Sequence, residues 1–390
     1  MSLTTDGARP GRVLVTDGEF KHTLGIVRRL GALGHEVHLV AMSGRAPAAH
    51  SRAVAKWHVA PAPGSPGYDE RLLAIAGFLA PVSLVTVGDG AVAAADRLRG
   101  HFPASVRVAL PSTEALATAN DKQRTAALAR NLGLRAPRER VVASAGEARA
   151  ALGELGTPMV LKSAREEGRK VLRYARSESE AADAWEAVHA KTGAAVLAQE
   201  YVTGEGFGWS ALYWEGRLVC SLAHRRVREW PPSGGTSACA ESLTDAAELE
   251  RAGRALLDAL AWHGVAMVEF KGALGAEALT LIEINAKFWG SHDLALAAGV
   301  DFPGTLVALL EGRTVPTAPA PRRVRFVWPL GGDLWHGMFR PSSLPSVLRD
   351  ALSPRVARNL SAADPVPHLY ELAQWARALP GAWREQRELR

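Results

Sequence analysis

The sequence predicts a parallel α/β unit followed by an antiparallel α+β unit, and three observations carry that class. Strand-like and helix-like segments alternate strictly from residue 12 to about residue 90, the rhythm of a parallel sheet with crossover helices. From about residue 195 the strands come as hairpins, one turning at Glu215-Gly216 and one between 272 and 278. The chain has 390 residues, 47% hydrophobic and 22% charged. That is an ordinary globular composition and length enough for two or three domains.

The elements follow in order. Residues 12–16 (R-V-L-V-T) form a short buried strand, a turn falls at Asp17-Gly18, and a helix over 23–33 is closed by Gly34. A second strand spans 36–41, a helix 69–79, a strand 82–87, and another helix follows Gly90. Open parallel sheets hold ligands at the C-terminal ends of their strands, so Asp17, Lys21, His22 and Asp89 are cleft candidates. Leu110-Pro111-Ser112-Thr113 marks a boundary with a helix N-cap. A second helix begins at Asp121 and ends before Gly133. Residues 158–163 (P-M-V-L-K-S) form a strand, 164–170 a loop, 178–191 a long helix and 195–202 a further strand. A hairpin over 207–229 and a helix over 245–262 come next, and the Pro- and Arg-rich segment 314–325 reads as a linker to a tail of short helices. The expected domains are 1–110, 111–192, 193–313 and 314–390.

The densest chemistry lies in V-E-F-K (268–271) and L-I-E-I-N-A-K-F-W-G-S (281–291). Alternate side chains of a strand share a face, so Glu283, Asn285 and Lys287 point one way. Val268 and Phe270 point away from Glu269 and Lys271. A turn centred near Ala276 sets Glu269 opposite Glu283. Like charges facing across a strand pair are destabilising, and a divalent cation between them removes the penalty. Hard oxygen ligands suit Mg²⁺. Upstream, His224, Arg225, Arg226 and Arg228 precede Ser233-Gly234-Gly235-Thr236. On a regular strand Arg226, Arg228 and His224 share a face, which either protects a sheet edge or attracts a carboxylate or phosphate.

Bulk properties narrow the class. The net charge is +6, but the basic residues are scattered, without the aromatic interleaving of a nucleic-acid surface. The partners expected are small molecules, with no nucleic acid and no membrane, and a homodimer on base rates. Lysine is scarce, at 21, 56, 122, 162, 170, 191, 271 and 287, so each one is informative. Two cysteines, Cys220 and Cys239, are too few for a disulfide framework or a zinc site; buried thiols in a reducing cytoplasm are expected. The N-terminus lacks the apolar core of a signal peptide.

Taken together, N-D-K-Q-R-T (120–125), P-M-V-L-K (158–162), Q-E-Y-V-T-G-E (199–205) and the V-E-F…E-I-N hairpin resemble the ATP-grasp superfamily of carboxylate–amine ligases. The likeness is to the carbamoyl-phosphate-synthetase-like and D-alanine–D-alanine-ligase-like branches and covers about residues 12 to 312. It implies an ATP-grasp fold behind an N-terminal parallel domain, and ATP with Mg²⁺ (two ions, with Mn²⁺ an alternative) as cofactors. It implies that Lys122 and Lys162 neutralise phosphates, that Gln199, the Glu200 carbonyl and the Val202 amide read adenine, and that Glu205 is the ribose candidate. Glu269, Glu283 and Asn285 match the metal ligands. Lys287 stands where relatives carry arginine and would hold the transferred phosphoryl group or the acyl-phosphate; Arg226, to which the resemblance assigns no role, is the second catalytic candidate from its place in the basic cluster. Arg225, Arg228, Gly234 and Gly235 are substrate candidates. The phosphate loop A-R-E-E-G-R-K departs from the family in being glycine-poor, which turns attention to Arg165, Arg169 and Lys170. The implied reaction activates a carboxylate as an acyl-phosphate and couples it to an amine. A bicarbonate-using carboxyphosphate enzyme and a catalytically inactive nucleotide-binding regulator are the alternatives.

Overall fold

The computed structural model describes residues 10–163, 172–193, 195–232, 235–275 and 279–388. Arg165, Arg169, Lys170 and Gly234 lie outside the described residues. The chain opens with β1 (Arg12–Val15), α1 (Thr23–Ala32), β2 (Glu36–Ala41), β3 (Val54–Val59), α2 (Tyr68–Leu79), β4 (Val82–Val85), α3 (Asp89–Arg97) and β5 (Val106–Val108). The five strands make one parallel sheet in the order β3-β2-β1-β4-β5. Val13, Leu14 and Val15 are fully buried, as a strand covered on both faces requires. β3 and β5 escape the sequence reading for physical reasons. β3 is a half-exposed edge strand carrying Lys56 and His58, and β5 has three residues.

α4 (Thr113–Asn120), capped by Ser112, and α5 (Lys122–Asn131), capped by Asp121, lead into a smaller lobe. It contains β6 (Glu139–Val142), α6 (Ala145–Leu155), β7 (Met159–Ser163), β8 (Leu172–Ala175), α7 (Glu178–Thr192) and β9 (Val196–Glu200). Its antiparallel sheet runs β6-β9-β7-β8, with α6 and α7 packing on one another and on the sheet.

The largest sheet is built from β10 (Glu205–Trp214), β11 (Arg217–Trp230), β12 (Thr236–Leu243), β13 (Gly264–Gly272), β14 (Thr280–Asn285), β15 (Arg325–Val327) and β16 (Ala357–Arg358). Its order is β14-β13-β10-β11-β12-β15-β16. α8 (Ala247–Ala259) covers one face over Phe207, Trp209 and Phe270. The other face packs on the parallel unit through α9 (His292–Ala298) and α10 (Phe302–Leu310), in a core joining Val13 and Leu24 to Leu222, Met267 and Phe288. After α10 the chain does not simply leave the sheet. β15 pairs with β12, and only then do α11 (Leu334–Phe339), α12 (Leu344–Leu352) and α13 (Val366–Glu388) follow. Asp364 ties this C-terminal segment back to the parallel unit. It accepts from Arg28 Nε at 2.8 Å, Ser51 Oγ at 2.7 Å and Arg52 N at 3.1 Å. Among the described residues no single helix is long and apolar enough to cross a membrane.

Candidate functional site

β13 and β14 pair so that Glu269 stands directly opposite Glu283, the register the spacing predicts. One residue further on the ladder slips: Phe270 pairs with Leu281, leaving Ile282 as the extra residue of a bulge. A bulge re-aims the side chains on either side of it. Leu281 therefore joins Ile284, Val268 and Phe270 in the α8 core, while Glu283 stays with Asn285 on the opposite face. Asn285 Nδ2 donates to Glu269 Oε1 at 3.1 Å and Glu283 Oε1 at 3.3 Å. Two carboxylates and one amide thus converge. Amide orientation is assigned from hydrogen bonding, and a half-turn of the Asn285 amide replaces its donors by Oδ1. The set is then three hard oxygen donors, the chemistry that suits Mg²⁺.

Arg226 reaches this cluster from β11, across the whole width of β10. Its Nη2 lies 2.5 Å from Glu269 Oε2, and its Nη1 donates to Glu229 Oε1 at 2.9 Å and Gly235 O at 3.1 Å. The crossing is possible because β10 presents no side chains there. A Cβ on Gly206 would meet Arg226 Cδ at 3.1 Å, and one on Gly208 would strike His224 Cε1 at 2.2 Å. Burial works against the guanidinium charge, but Glu269 and Glu229 outweigh it and hold Arg226 firmly protonated. His224, its ring over Gly208 and Nε2 3.1 Å from Ser291 Oγ, is pushed down to about 3 by burial and by Arg226, so its imidazole is neutral.

Arg225 and Arg228 do not join this group. Arg225 faces the other side of the sheet, with Glu241 at 2.8 Å and Glu205 at 3.4 Å. The expectation that Arg228 shares a face with Arg226 is corrected by a bulge at Val227. Arg228 is 6% exposed and is held by Asp333 at 2.6 Å and Asp350 at 2.8 Å. Glu205 lies with Arg225, away from the acid cluster. Gly235 contributes its carbonyl to Arg226.

The parallel unit supplies the opposite wall. Lys287 forms an ion pair with Asp89 at the start of α3. Lys21 donates to Ser237 O at 2.6 Å and lies 4.7 Å above the Trp328 ring. His22 is buried beside Lys21, Lys287 and His292, and burial lowers its pKa well below the ordinary value. Asp17 sits in the left-handed region at φ 59° and accepts from Gly88 N at 2.8 Å, locking the β1–α1 turn to the β4–α3 turn. All four cleft candidates thus lie in two neighbouring βα turns.

In the smaller lobe Lys162 is buried and donates to Gln199 Oε1 at 2.9 Å, and Gln199 Nε2 donates to Glu139 Oε2 at 2.7 Å. Burial raises the Glu139 pKa against the Gln199 bond and the charges of Lys162, Arg130 and Lys122. Lys122, at the first turn of α5, therefore belongs to the same electrostatic group. Glu139 escapes the sequence reading because strand pairing, not spacing, brings it there. Glu200 ends β9, with its carboxylate 2.6 Å from Arg138. Past Tyr201, Lys271 Nζ reaches from β13 to 3.5 Å from Val202 O and 5.2 Å from the Tyr201 ring. This joins the strand carrying Glu269 to the segment between the lobes. Among the described residues no group of three or more His, Cys, Asp or Glu forms a metal-binding cluster; the oxygen set above has two carboxylates and an amide.

Comparison with solved structures gives this arrangement a context. A biotin carboxylase–β,γ-ATP complex from Campylobacter jejuni superposes over 80% of this chain and 73% of its own, with TM-score 0.65 at 15% identity. The N5-carboxyaminoimidazole ribonucleotide synthetase of Thermus thermophilus matches over 80% and 82%, with TM-score 0.61 at 21% identity. The chain has the ATP-grasp fold. An L-amino acid ligase from Bacillus licheniformis shares it over 78% and 75%, with TM-score 0.57 at 16% identity. Residues 193–328 match the family described as ATP-grasp in the biosynthetic pathway with Ter operon. That stretch holds β10 to β15, including the Glu269–Glu283–Asn285 cluster. No curated protein matches the sequence.

Proposed function

We propose that this ATP-grasp chain is an ATP-dependent ligase that activates a carboxylate as an acyl-phosphate and joins it to an amine. The observation that carries the reading is the convergence of Glu269, Glu283 and Asn285 with Arg226 on one sheet face. In this reading Lys162 and Lys122 bind phosphate oxygens, since charge-assisted hydrogen bonds are the strong kind. Gln199, the Glu200 carbonyl and the Val202 amide take the adenine edge. Glu269, Glu283 and Asn285 would hold Mg²⁺, which when bound supplies charge neutralisation at the β- and γ-phosphates. Arg226 and Lys287 steady the phosphoryl group in flight.

The atoms balance in two steps. A carboxylate oxygen bonds to the γ-phosphorus as the bond to the β,γ-bridging oxygen breaks and ADP leaves. The amine nitrogen then bonds to the acyl carbon, the C–O bond to phosphate breaks, and the amine proton passes to solvent. Phosphate leaves far more readily than hydroxide, and the protein's share is positioning and electrostatics. Support for nucleotide use comes from relatives of the fold that were crystallised with nucleotide, among them a Hydrogenobacter thermophilus 2-oxoglutarate carboxylase domain with MgADP and bicarbonate. That structure also keeps bicarbonate as an alternative acid.

The test is ADP release by the full chain across acid and amine pairs, with products read by mass spectrometry. Glu283→Ala is expected to abolish substrate-dependent ADP release with its melting temperature retained; unchanged turnover removes the metal role. Stimulation of ADP release by bicarbonate alone identifies the carboxyphosphate alternative. Tight ATP binding with no ADP release across the panel points to a regulator.

A further inference from the structure

Beside the acid cluster lies a cavity of about 200 Å³ that the reading above does not use. Glu19 and Lys21 line it from the β1–α1 turn, and Trp335, Glu371, Gln374 and Trp375 from α11 and α13. On α13, Glu371, Gln374, Trp375 and Ala378 recur at the spacing of one helix face, so the helix presents a continuous wall. At this size, below the usual 300–1,000 Å³ of drug-sized sites, the occupant is a small metabolite.

The cavity has polarity. Lys21 marks the end nearest the acid cluster. Lys21 donates to Ser237 O and Arg226 to Gly235 O, and the two cations lie close enough to repel one another. The Lys21 stem is seated by glycine, since a Cβ on Gly331 would come 2.9 Å from Lys21 Cδ. An ammonium has three donors; Ser237 O and Gly331 O, at 3.4 Å, take two of them. Burial pushes the Lys21 pKa down to about 8 against the pull of Asp293 and Glu371, which leaves it mainly charged at neutral pH. Carboxylates stand elsewhere in the lining, Glu19 and Glu371, the latter with Oε2 2.8 Å from His368 Nδ1. The walls are indoles. Trp335 stacks on Trp230 at 5.3 Å and meets Trp375 at 5.0 Å. Trp375 Nε1 is buried without a partner among the described residues.

We propose that this cavity binds a small carboxylic acid with a planar apolar body and a protonated amine. Its carboxylate sits on Lys21, its ring lies against the joined wall of Trp335 and Trp375, and its amine sits by Glu19 and Glu371. That this acid is the one activated rests on the ligase reading. The location of its carboxylate, beside the arginine that contacts Glu269, suits attack on a γ-phosphate.

Calorimetric titration of the full chain without nucleotide tests the site independently of turnover. The probes are 4-(aminomethyl)benzoate, 4-methylbenzoate and benzylamine. We expect the zwitterion to bind at least about tenfold more tightly than either singly charged probe. Lys21→Met should weaken it by about tenfold or more, and Glu371→Gln should erase its advantage over 4-methylbenzoate. Ala378→Trp fills the cavity from the helix surface and should abolish binding even if Lys21→Met disturbs folding. Absence of binding at millimolar probe, or binding that survives Ala378→Trp, overturns the inference. Binding in the expected pattern with no ADP released under any acid and amine pair upholds the pocket and removes the ligase reading instead.

Discussion

The two faces of the seven-stranded sheet carry charge in opposite ways. On the face covered by α8, acids and arginines alternate in a chain: Glu205, Arg225, Glu241, Arg325, Asp350, Arg228, Asp333, each within 3.4 Å of the next. On the face toward the parallel unit, three carboxylates, Glu269, Glu283 and Glu229, gather around the Arg226 guanidinium, with Asn285 bridging two of them. The first pattern is that of a clasp, in which each charge has an opposite neighbour and the C-terminal helices are fastened to the sheet. The second concentrates like charge and oxygen ligands at one point, which is what a site handling a cation and a polyphosphate requires. Adjacent residues of one strand, Arg225 and Arg226, therefore belong to different charge patterns.

The largest expected effect tests the clasp. Arg228→Ala leaves Asp333 buried without its guanidinium, while Asp350 keeps Arg325 at 3.3 Å, and breaking a buried pair in this way costs about 3–5 kcal/mol. Arg225 is 35% exposed, so Arg225→Ala should cost within about 1 kcal/mol. Denaturant unfolding of both variants checks this; equal losses would dissolve the distinction between the buried and the exposed ends of the clasp.

Next comes the contrast between neighbours. Removing a preorganised donor to developing charge typically lowers kcat by about a hundredfold or more, so Arg226→Ala should lose ADP release on that scale. Arg225→Ala should keep turnover within about twofold, because it stabilises the other face and its exposed ion pairs are weak. Comparable kcat losses in the two variants would show that the faces do not divide the work.

How much of this is legible in the sequence depends on which interaction places each residue. The Glu269–Glu283 opposition follows from strand period and a turn position, both local, and the structure has it. The bulge at Val227 is not local: it is set by β11 fitting β12, and it moves Arg228 from the expected face to the clasp. Glu139 reaches Gln199 only because β6 pairs with β9, although the two residues are 60 positions apart. Gly206 and Gly208 are visible as letters, but their role, an open lane for Arg226, exists only once β10 lies between β11 and β13. The tail reads as a linker and helices because Arg325–Val327 is too short to show a period, yet it extends the sheet.

A third prediction asks whether the acid face takes a cation. A ligand at 100 times its Kd stabilises the folded state by about 2.7 kcal/mol. Mg²⁺ with a non-hydrolysable ATP analogue should therefore raise the melting temperature of the wild type. Adding Mg²⁺ to the analogue should add little in Glu283→Gln, which keeps the shape of the side chain and removes its charge. An equal Mg²⁺ increment in both proteins would place the ion elsewhere.

The smallest effect concerns the neutral group on the same face. His224 is held at about 3 in the folded chain, while an unfolded histidine titrates near its ordinary 6.5. Between those values the unfolded chain takes up a proton that the folded chain refuses, so stability is full above about 6.5 and falls as pH drops toward 3. From pH 6.5 to 5 this amounts to about 2 kcal/mol for this one group. His22 and His58 shift in the same direction, so the wild type should lose more than that. The decisive quantity is a difference: His224→Gln, which retains a polar partner for Ser291, should lose about 2 kcal/mol less than the wild type between pH 6.5 and 5 in urea unfolding. If both proteins lose the same amount, His224 is protonated in the fold, and Arg226 then shares this face with a second positive charge.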